Sequence, residues 1–246
     1  MWLVSTSHTI VRPFVRPFHT RSLACAGLLV WMSLILAACG GIGALPPPPR
    51  PASTATPKPT PAILFQADWS HGLDGWHATS GWNVVNGALE NVLGAERTLT
   101  IPYTPTTGTY AIEFDLQVVQ IPSRGGYYIL DVPEGAGGDG YQTGVTGLRV
   151  PGPRPSGDHQ IIQTRISPLA DQETALSVRS MTDYEPGDQV KTYRLVVDGK
   201  SLQLYVNGRF YVAGQSTRGP RLANGPLVLR VNGAQFRITG LRILTA

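Results

Sequence analysis

The sequence predicts an all-β domain over residues 63–246, an antiparallel sandwich of the jelly-roll type. Apolar and polar side chains alternate along many short segments, and Asx-Gly dipeptides separate several of these segments. No stretch of this region has the 3.6-residue apolar period of an amphipathic helix. Around a dozen short strands joined by tight turns, in a domain of this length, favour two packed antiparallel sheets.

The clearest predicted strand begins near Tyr110. One face carries large apolar side chains, namely Tyr110, Ile112, Phe114, Leu116 and Val118. The other face carries Ala111, Glu113, Asp115 and Gln117. The same alternation, which is typical of a strand with one buried face, returns at residues 193–197, 202–206, 227–231 and 236–243.

Four dipeptides predict the turns between strands. They are Asn86-Gly87, Asp198-Gly199, Asn207-Gly208 and Asn232-Gly233. Asn, Asp and Gly accept the positive φ that a two-residue hairpin loop requires. We therefore expect a hairpin turn at each dipeptide.

Residues 1–38 have the three parts of a secretory signal. The basic part holds Arg12, Arg16 and Arg21, and the apolar part runs over residues 23–36. This apolar run is shorter than the roughly 20 residues that a membrane-spanning helix needs. Residues 36–40, LAACG, resemble the bacterial lipobox, which implies diacylation of Cys39 after removal of a lipoprotein signal peptide, 1–38. The alternatives are an uncleaved N-terminal anchor and an ordinary signal peptide cut after Ala38.

Lipid on Cys39 predicts attachment to the cell membrane on its extracytoplasmic face, because two or more acyl chains give stable anchoring. Residues 39–62 then form a linker dominated by Pro, Ala and Thr. Such a segment cannot bury enough surface to fold, so we expect a disordered or polyproline II stalk. The stalk would reach up to roughly 70 Å.

Composition excludes several classes of function. The chain has two cysteines, Cys25 in the leader and Cys39, so the mature domain has no cysteine nucleophile and no thiolate metal site. The formal net charge is +4, and the three leader arginines account for most of it. A nearly balanced mature chain does not predict nucleic-acid binding.

Both ends of the predicted domain resemble a known fold. Residues 65–76, FQADWSHGLDGW, and residues 82–89, WNVVNGAL, resemble the opening of concanavalin A-like sandwich domains. Bacterial LamG-type modules and the 3-keto-disaccharide hydrolase-like family begin in a similar way. Residues 193–199, 204–208 and 240–243 resemble the last strands of that fold. The resemblance implies a concanavalin A-like jelly roll over residues 63–246.

Candidate acids fall on the strand that begins near Tyr110. Glu113 and Asp115 resemble the start of the E-x-D-x-x-E arrangement of laminarinase-type glycoside hydrolases, but Gln117 or Val118 stands at the third acid. Retaining hydrolysis needs both carboxylates, so we predict no catalytic residues and interpret the set as polar side chains that face solvent. Were there hydrolysis, the missing acid/base would be Glu134 or Asp139. Residues 126–129 and 140–142 resemble stretches of the 3-keto-disaccharide hydrolase-like family, with Gln142 where an acid is usual.

No cofactor is predicted, and His71, His77 and His159 form no zinc-binding pair. The LamG-type resemblance implies that Asp131 and Asp139 could assist a structural calcium ion. The alternative is two solvated acids beside a flexible loop over residues 135–140, which is rich in glycine.

Aromatic side chains give the main indication of ligand recognition, because sugar rings stack on aromatic faces. Trp76, Trp82, Tyr127, Tyr128, Tyr141 and Tyr184 fall where the ligand surface of this fold usually forms. We expect Trp76 and Trp82 to be structural, and we predict that Tyr127, Tyr141 and Tyr184 bind the ligand, with Tyr141 and Tyr184 exposed in loops. The predicted function is a lipoprotein whose sandwich binds carbohydrate or another cell-envelope ligand without catalysis. The alternatives are a glycoside hydrolase-like enzyme of the same fold and a structural adhesion or assembly module.

Overall fold

The structure is a computed structural model that describes residues 60–135, 138–150, 159–167, 178–216 and 221–246. The predicted signal peptide, Cys39 and most of the linker lie outside these residues. Within them the chain forms strands and no helix. The described residues therefore contain no helix that is long and apolar enough to cross a membrane.

The described strands are β1 (Ile63–Gln66), β2 (His77–Ala78), β3 (Trp82–Val85), β4 (Ala88–Asn91), β5 (Gly94–Thr100), β6 (Thr109–Gln120), β7 (Gly126–Val132), β8 (Gly140–Leu148), β9 (Ile161–Ser167), β10 (Val178–Asp183), β11 (Lys191–Asp198), β12 (Ser201–Val206), β13 (Arg209–Gln215), β14 (Val228–Gly233) and β15 (Gln235–Leu244). They make two antiparallel sheets. The first has the order β13-β12-β11-β6-β15-β4-β3, with β1 also paired to β15. The second has the order β10-β9-β8-β7-β14-β5-β2. The predicted all-β antiparallel sandwich is confirmed.

The core lies between the two sheets. The predicted apolar face of β6 is buried throughout, from Tyr110 at 0% exposure to Phe114 at 5%. In β15, Phe236 and Ile238 face the core and so do Leu241 and Ile243, although the two pairs are out of phase. A register irregularity between Ile238 and Gly240 restores the inward direction, as an extra residue in one strand does.

The predicted turns divide into three outcomes. Asn86-Gly87 and Asn207-Gly208 are two-residue hairpin loops, and all four residues have positive φ. Between β11 and β12 the loop is displaced by one residue, since Asp198 pairs with Ser201 and the loop is Gly199-Lys200.

The prediction of a hairpin at Asn232-Gly233 is wrong. β14 belongs to the second sheet and β15 to the first, so the chain crosses between sheets at this dipeptide. Gly233 still has a positive φ of 74°. The dipeptide therefore predicts a sharp change of direction but does not identify which strands are joined.

Candidate functional site

The outer face of the second sheet carries a connected group of polar side chains. Tyr128, Leu130 and Val132 of β7 are buried in the core. Because successive side chains of a strand point to opposite faces, Tyr127 and Asp131 project outward. Arg230 of β14 and Glu96 of β5 project from the same face by the same alternation. We call Glu96, Tyr127, Asp131 and Arg230 the polar cluster.

Arg230 holds the polar cluster together. Its Nε atom donates a hydrogen bond to Asp131 Oδ2 at 2.9 Å, and its Nη2 atom lies 2.8 Å from the same oxygen. Its Nη1 atom lies 3.8 Å from Glu96 Oε1. The hydroxyl of Tyr127 donates to Glu96 Oε2 at 2.5 Å. The cluster thus cross-links three neighbouring strands, β5, β14 and β7.

Two features of the polar cluster concern the protonation of Tyr127 and the hydrogen bonding of Asp131. Partial burial and the hydrogen bond to Glu96 raise the pKa of Tyr127, so its hydroxyl stays neutral at physiological pH. Asp131 is 2% exposed, and its Oδ1 atom has no hydrogen-bond partner among the described residues. A buried acceptor left without a partner in this way costs free energy.

A surface depression of about 650 Å³ adjoins the polar cluster at one end of the sandwich. Four chain segments meet there: the β4–β5 connection, the β6–β7 connection, the end of β8 and the end of β14. We call it the end depression, and it is lined by Leu93, Gly94, Ala95, Pro122, Arg124, Gly125, Gly126, Tyr127, Gly147, Leu148, Arg149, Asn232 and Gly233. Tyr127 belongs to both the end depression and the polar cluster.

Glycines allow these segments to touch through their backbones. A Cβ atom on Gly233 would lie 2.1 Å from the carbonyl oxygen of Gly125, and one on Gly126 would lie 2.5 Å from that of Asn232. Neither contact could be relieved by a side-chain rotation, since both neighbours are backbone atoms. The floor of the end depression is therefore a rigid junction that admits no side chain at these positions.

The three predicted ligand-binding tyrosines have different positions. Tyr127 is half-buried and lies in the end depression. Tyr141 is 1% exposed, and its hydroxyl lies 2.8 Å from that of Tyr110. Tyr184 is 7% exposed, and its hydroxyl lies 2.8 Å from that of Tyr193. The prediction that Tyr141 and Tyr184 are exposed is wrong, because both rings pack in the core and present no face to a ligand in solution.

The other aromatic residues are structural, as expected for Trp76 and Trp82. Trp82 is 6% exposed and Tyr128 is fully buried. Trp76 packs against the core, with its ring centroid 4.9 Å from that of Trp69 and 6.0 Å from that of Phe65.

The acids of β6 cross-link the first sheet. Glu113, expected to face solvent, is 9% exposed. Its Oε2 atom accepts a hydrogen bond from Arg194 of β11 at 3.1 Å, and its Oε1 atom accepts from Arg242 of β15. Asp115 Oδ1 accepts from the hydroxyl of Thr192 at 2.6 Å. Glu113 is on the predicted face, but two guanidinium groups cover it, which corrects the interpretation as a solvated side chain.

The two acids considered for calcium have protein partners. Asp131 is bound by Arg230, and Asp139 Oδ2 accepts a hydrogen bond from the hydroxyl of Ser216. Among the residues that the structure describes, no group of three or more His, Cys, Asp or Glu side chains could hold a metal ion. Two residues of the predicted flexible loop, 136 and 137, lie outside the described residues.

Sequence reasoning missed most of the site. Glu96, Arg230, Asn232, Arg124 and Arg149 come from four separate segments, and no local pattern unites them. One signal was present: glycines recur at strand ends, at 125–126, 147 and 233. Their positions beside predicted strands were a better guide to the site than the glycine-rich run at 135–140.

No protein-family model matches the chain, and no curated protein matches it significantly. Solved structures do match. The Crh5 transglycosylase, in complex with NAG, is 15% identical over 76% of this chain and 88% of that one, with a TM-score of 0.53. The endo-β-1,3-glucanase of Pyrococcus furiosus is 8% identical over 75% and 94%, with a TM-score of 0.52. The Emp47p carbohydrate recognition domain is 12% identical over 70% and 89%, with a TM-score of 0.51. The chain thus has a β-sandwich fold that also occurs in carbohydrate-recognition and glycoside-processing proteins.

Proposed function

We propose that this β-sandwich binds carbohydrate without catalysis, at the end depression and the adjoining polar cluster. The observation that carries the proposal is the position of Tyr127, which lines the depression while its hydroxyl joins the cluster. An aromatic side chain beside a few fixed polar groups suits a sugar, which offers an apolar ring face and several hydroxyls. Asn232 adds an amide at the same edge.

The fold supports a sugar ligand, since one neighbour is named as a carbohydrate recognition domain and two others as a glucanase and a transglycosylase. The absence of catalysis is supported by Glu113 and Asp115. Both carboxylates accept hydrogen bonds from neighbouring strands of the first sheet, and Gln117 follows them on that face. They are therefore used to join strands.

Binding is tested by a glycan screen of the purified full-length protein, followed by calorimetry on each glycan that binds. Replacing Tyr127 with Ala should weaken binding by about 1–3 kcal/mol, as expected when an anchoring contact is lost. The matched control is Tyr205→Ala, because Tyr205 lies on the outer face of the first sheet and packs against Phe210. Equal losses in the two variants, or cleavage of the bound glycan, would contradict the proposal.

We further propose that lipid on Cys39 attaches the domain to the outside of the cell membrane. The support is the sequence LAACG at residues 36–40 behind an apolar run. Cys39→Ser should leave unprocessed precursor and abolish partitioning of the mature protein into detergent. An unmodified mature N-terminus in the mass spectrum would refute the anchor and leave the binding proposal untouched.

A further inference from the structure

We propose that the glycan bound at the end depression is the head group of a glycolipid, whose lipid chain lies against an apolar rim beside the depression. The apolar rim consists of Val92, Val119 and Val150. The inference rests on the proposed carbohydrate binding and adds the class of molecule that carries the sugar. It depends on the exposure of these valines and on their continuity with the lining of the depression.

The three valines of the apolar rim are exposed. Their exposed fractions are 45% for Val92, 44% for Val119 and 53% for Val150. Val119 points outward because Val118, the preceding residue of β6, is buried, and successive side chains of a strand alternate between faces. A valine side chain has no polar atom, so the rim offers no hydrogen bond to a sugar hydroxyl.

Two of the rim valines lie on either side of strand β15. Val92 directly follows Asn91, whose Oδ1 atom accepts a hydrogen bond from the amide of Phe236 in β15 at 2.8 Å. Val119 directly follows Val118, which pairs with Phe236 from the other neighbouring strand, β6. The start of β15 therefore has an exposed valine on each side.

The apolar rim is continuous with the lining of the end depression. Each rim valine lies within three residues of an apolar residue of that lining, and the pairs are Val92 and Leu93, Val119 and Pro122, and Val150 and Leu148. A free oligosaccharide in the depression would leave the rim in water. A lipid chain that starts at the reducing end of the sugar would cover it, which is favourable for apolar surface.

The size of the apolar rim favours a lipid chain over a protein partner. Three half-exposed valines offer far less surface than the roughly 800 Å² that each partner contributes to a standard protein interface. A lipid chain needs only a few contacts, because each buried methylene group strengthens binding about fourfold. The rim therefore suits the first few carbon atoms of such a chain.

Calorimetry on the full-length protein in phosphatidylcholine nanodiscs tests the contribution of the lipid chain. The probes are the methyl and hexyl β-glycosides of laminaritetraose and of cellotetraose, and empty nanodiscs measure how far each probe partitions into lipid. At least one hexyl glycoside should bind about tenfold more tightly than its methyl counterpart, the gain expected from one or two buried methylene groups. Val92→Thr and Val119→Thr keep the branched shape of the side chain. Each should lower this gain about threefold and leave the affinity for the methyl glycoside unchanged.

The matched control is Val85→Thr. Val85 is also exposed, but it pairs with Ala88 at the start of β4, whereas Val92 follows the end of that strand. This variant should bind both glycosides like the wild type, and all three variants should melt near the wild-type temperature.

Capture by a membrane tests whether the chain belongs to a glycolipid. A supported phosphatidylcholine bilayer that contains the dipalmitoyl neoglycolipid of the same tetrasaccharide should capture the protein in its nanodisc, and Val92→Thr should reduce the amount captured. Equal affinity for the hexyl and methyl glycosides, an undiminished gain in both rim variants, or no capture by the bilayer would overturn the inference alone. Binding of none of the glycosides would overturn the proposed carbohydrate binding itself.

Discussion

The hydroxyl groups of Tyr110 and Tyr141 lie 2.8 Å apart in the core and join the two sheets of the sandwich. Tyr110 belongs to β6 of the first sheet and Tyr141 to β8 of the second. Tyr184 and Tyr193 form a second hydroxyl pair at the same distance. Pairing satisfies hydroxyls that would otherwise be buried without a partner, a state that costs about 1–3 kcal/mol.

The first prediction concerns the role of Tyr141. Tyr141→Phe should lower the free energy of unfolding by about 0.5–1.5 kcal/mol, because it removes one hydrogen bond and leaves Tyr110 only a longer contact with the carbonyl of Ala223. Tyr141→Ala should cost about 3–5 kcal/mol by emptying a core site. Urea unfolding measures both. An unchanged urea midpoint together with lost glycan affinity would show that Tyr141 binds the ligand and would contradict a structural role.

The second prediction is a loss of stability at high pH. Burial raises the pKa of Tyr110 to about 12 and raises that of Tyr141 well above its usual value. Between pH 10 and 12 these hydroxyls ionise in the unfolded chain but stay protonated in the folded one. The folded state then binds more protons, so the free energy of unfolding falls as pH rises.

Thermal unfolding followed from pH 8 to 12 checks this loss of stability. The melting temperature should be level below pH 10 and fall above it. Tyr141→Phe should fall less steeply, since one of the responsible groups is gone. A melting temperature that stays level up to pH 12 would contradict the prediction.

The fold could be predicted because its signals are local. Strict alternation in β6 identifies the buried face, and Asn86-Gly87 supplies the positive φ of its hairpin whatever surrounds it. Sheet membership is not local. Asn232-Gly233 has the same chemistry as Asn86-Gly87, yet it crosses between sheets because β15 pairs with β6.

The site was harder to predict for the same reason. Tyr141 shares its strand face with Thr143 and Val145, so its burial could have been read from alternation in β8. Tyr184 offers no such signal, because it is buried by contacts with Tyr193 and Tyr211 from other strands. Arg230 and Asp131 meet only after β14 pairs with β7.

The third prediction separates a structural from a catalytic role for Glu113. Glu113→Gln should lower the free energy of unfolding by about 1–3 kcal/mol, because Arg194 and Arg242 lose an anionic acceptor. Glycan affinity should remain within about twofold of wild type, since the residue lies on the other sheet. Urea unfolding and calorimetry measure the two effects.

Asp74→Asn is the matched control for that substitution. Asp74 is exposed, and its replacement should change stability by no more than about 0.5 kcal/mol. If the wild-type protein cleaved a glycan and Glu113→Gln abolished cleavage without loss of stability, the structural role would be refuted.

The last prediction tests the rigid floor of the end depression. Gly126→Ala places a methyl group 2.5 Å from the carbonyl oxygen of Asn232 and 2.6 Å from the amide nitrogen of Ala234. The backbones must then separate, which should cost about 1–3 kcal/mol of stability and weaken glycan binding. Gly108→Ala is the matched control, because a Cβ at Gly108 meets nothing within 4 Å and neither glycine has a positive φ. That variant should unfold and bind like the wild type. If Gly126→Ala also unfolded and bound glycan like the wild type, the backbone junction would not be rigid. A preformed depression could then not explain recognition.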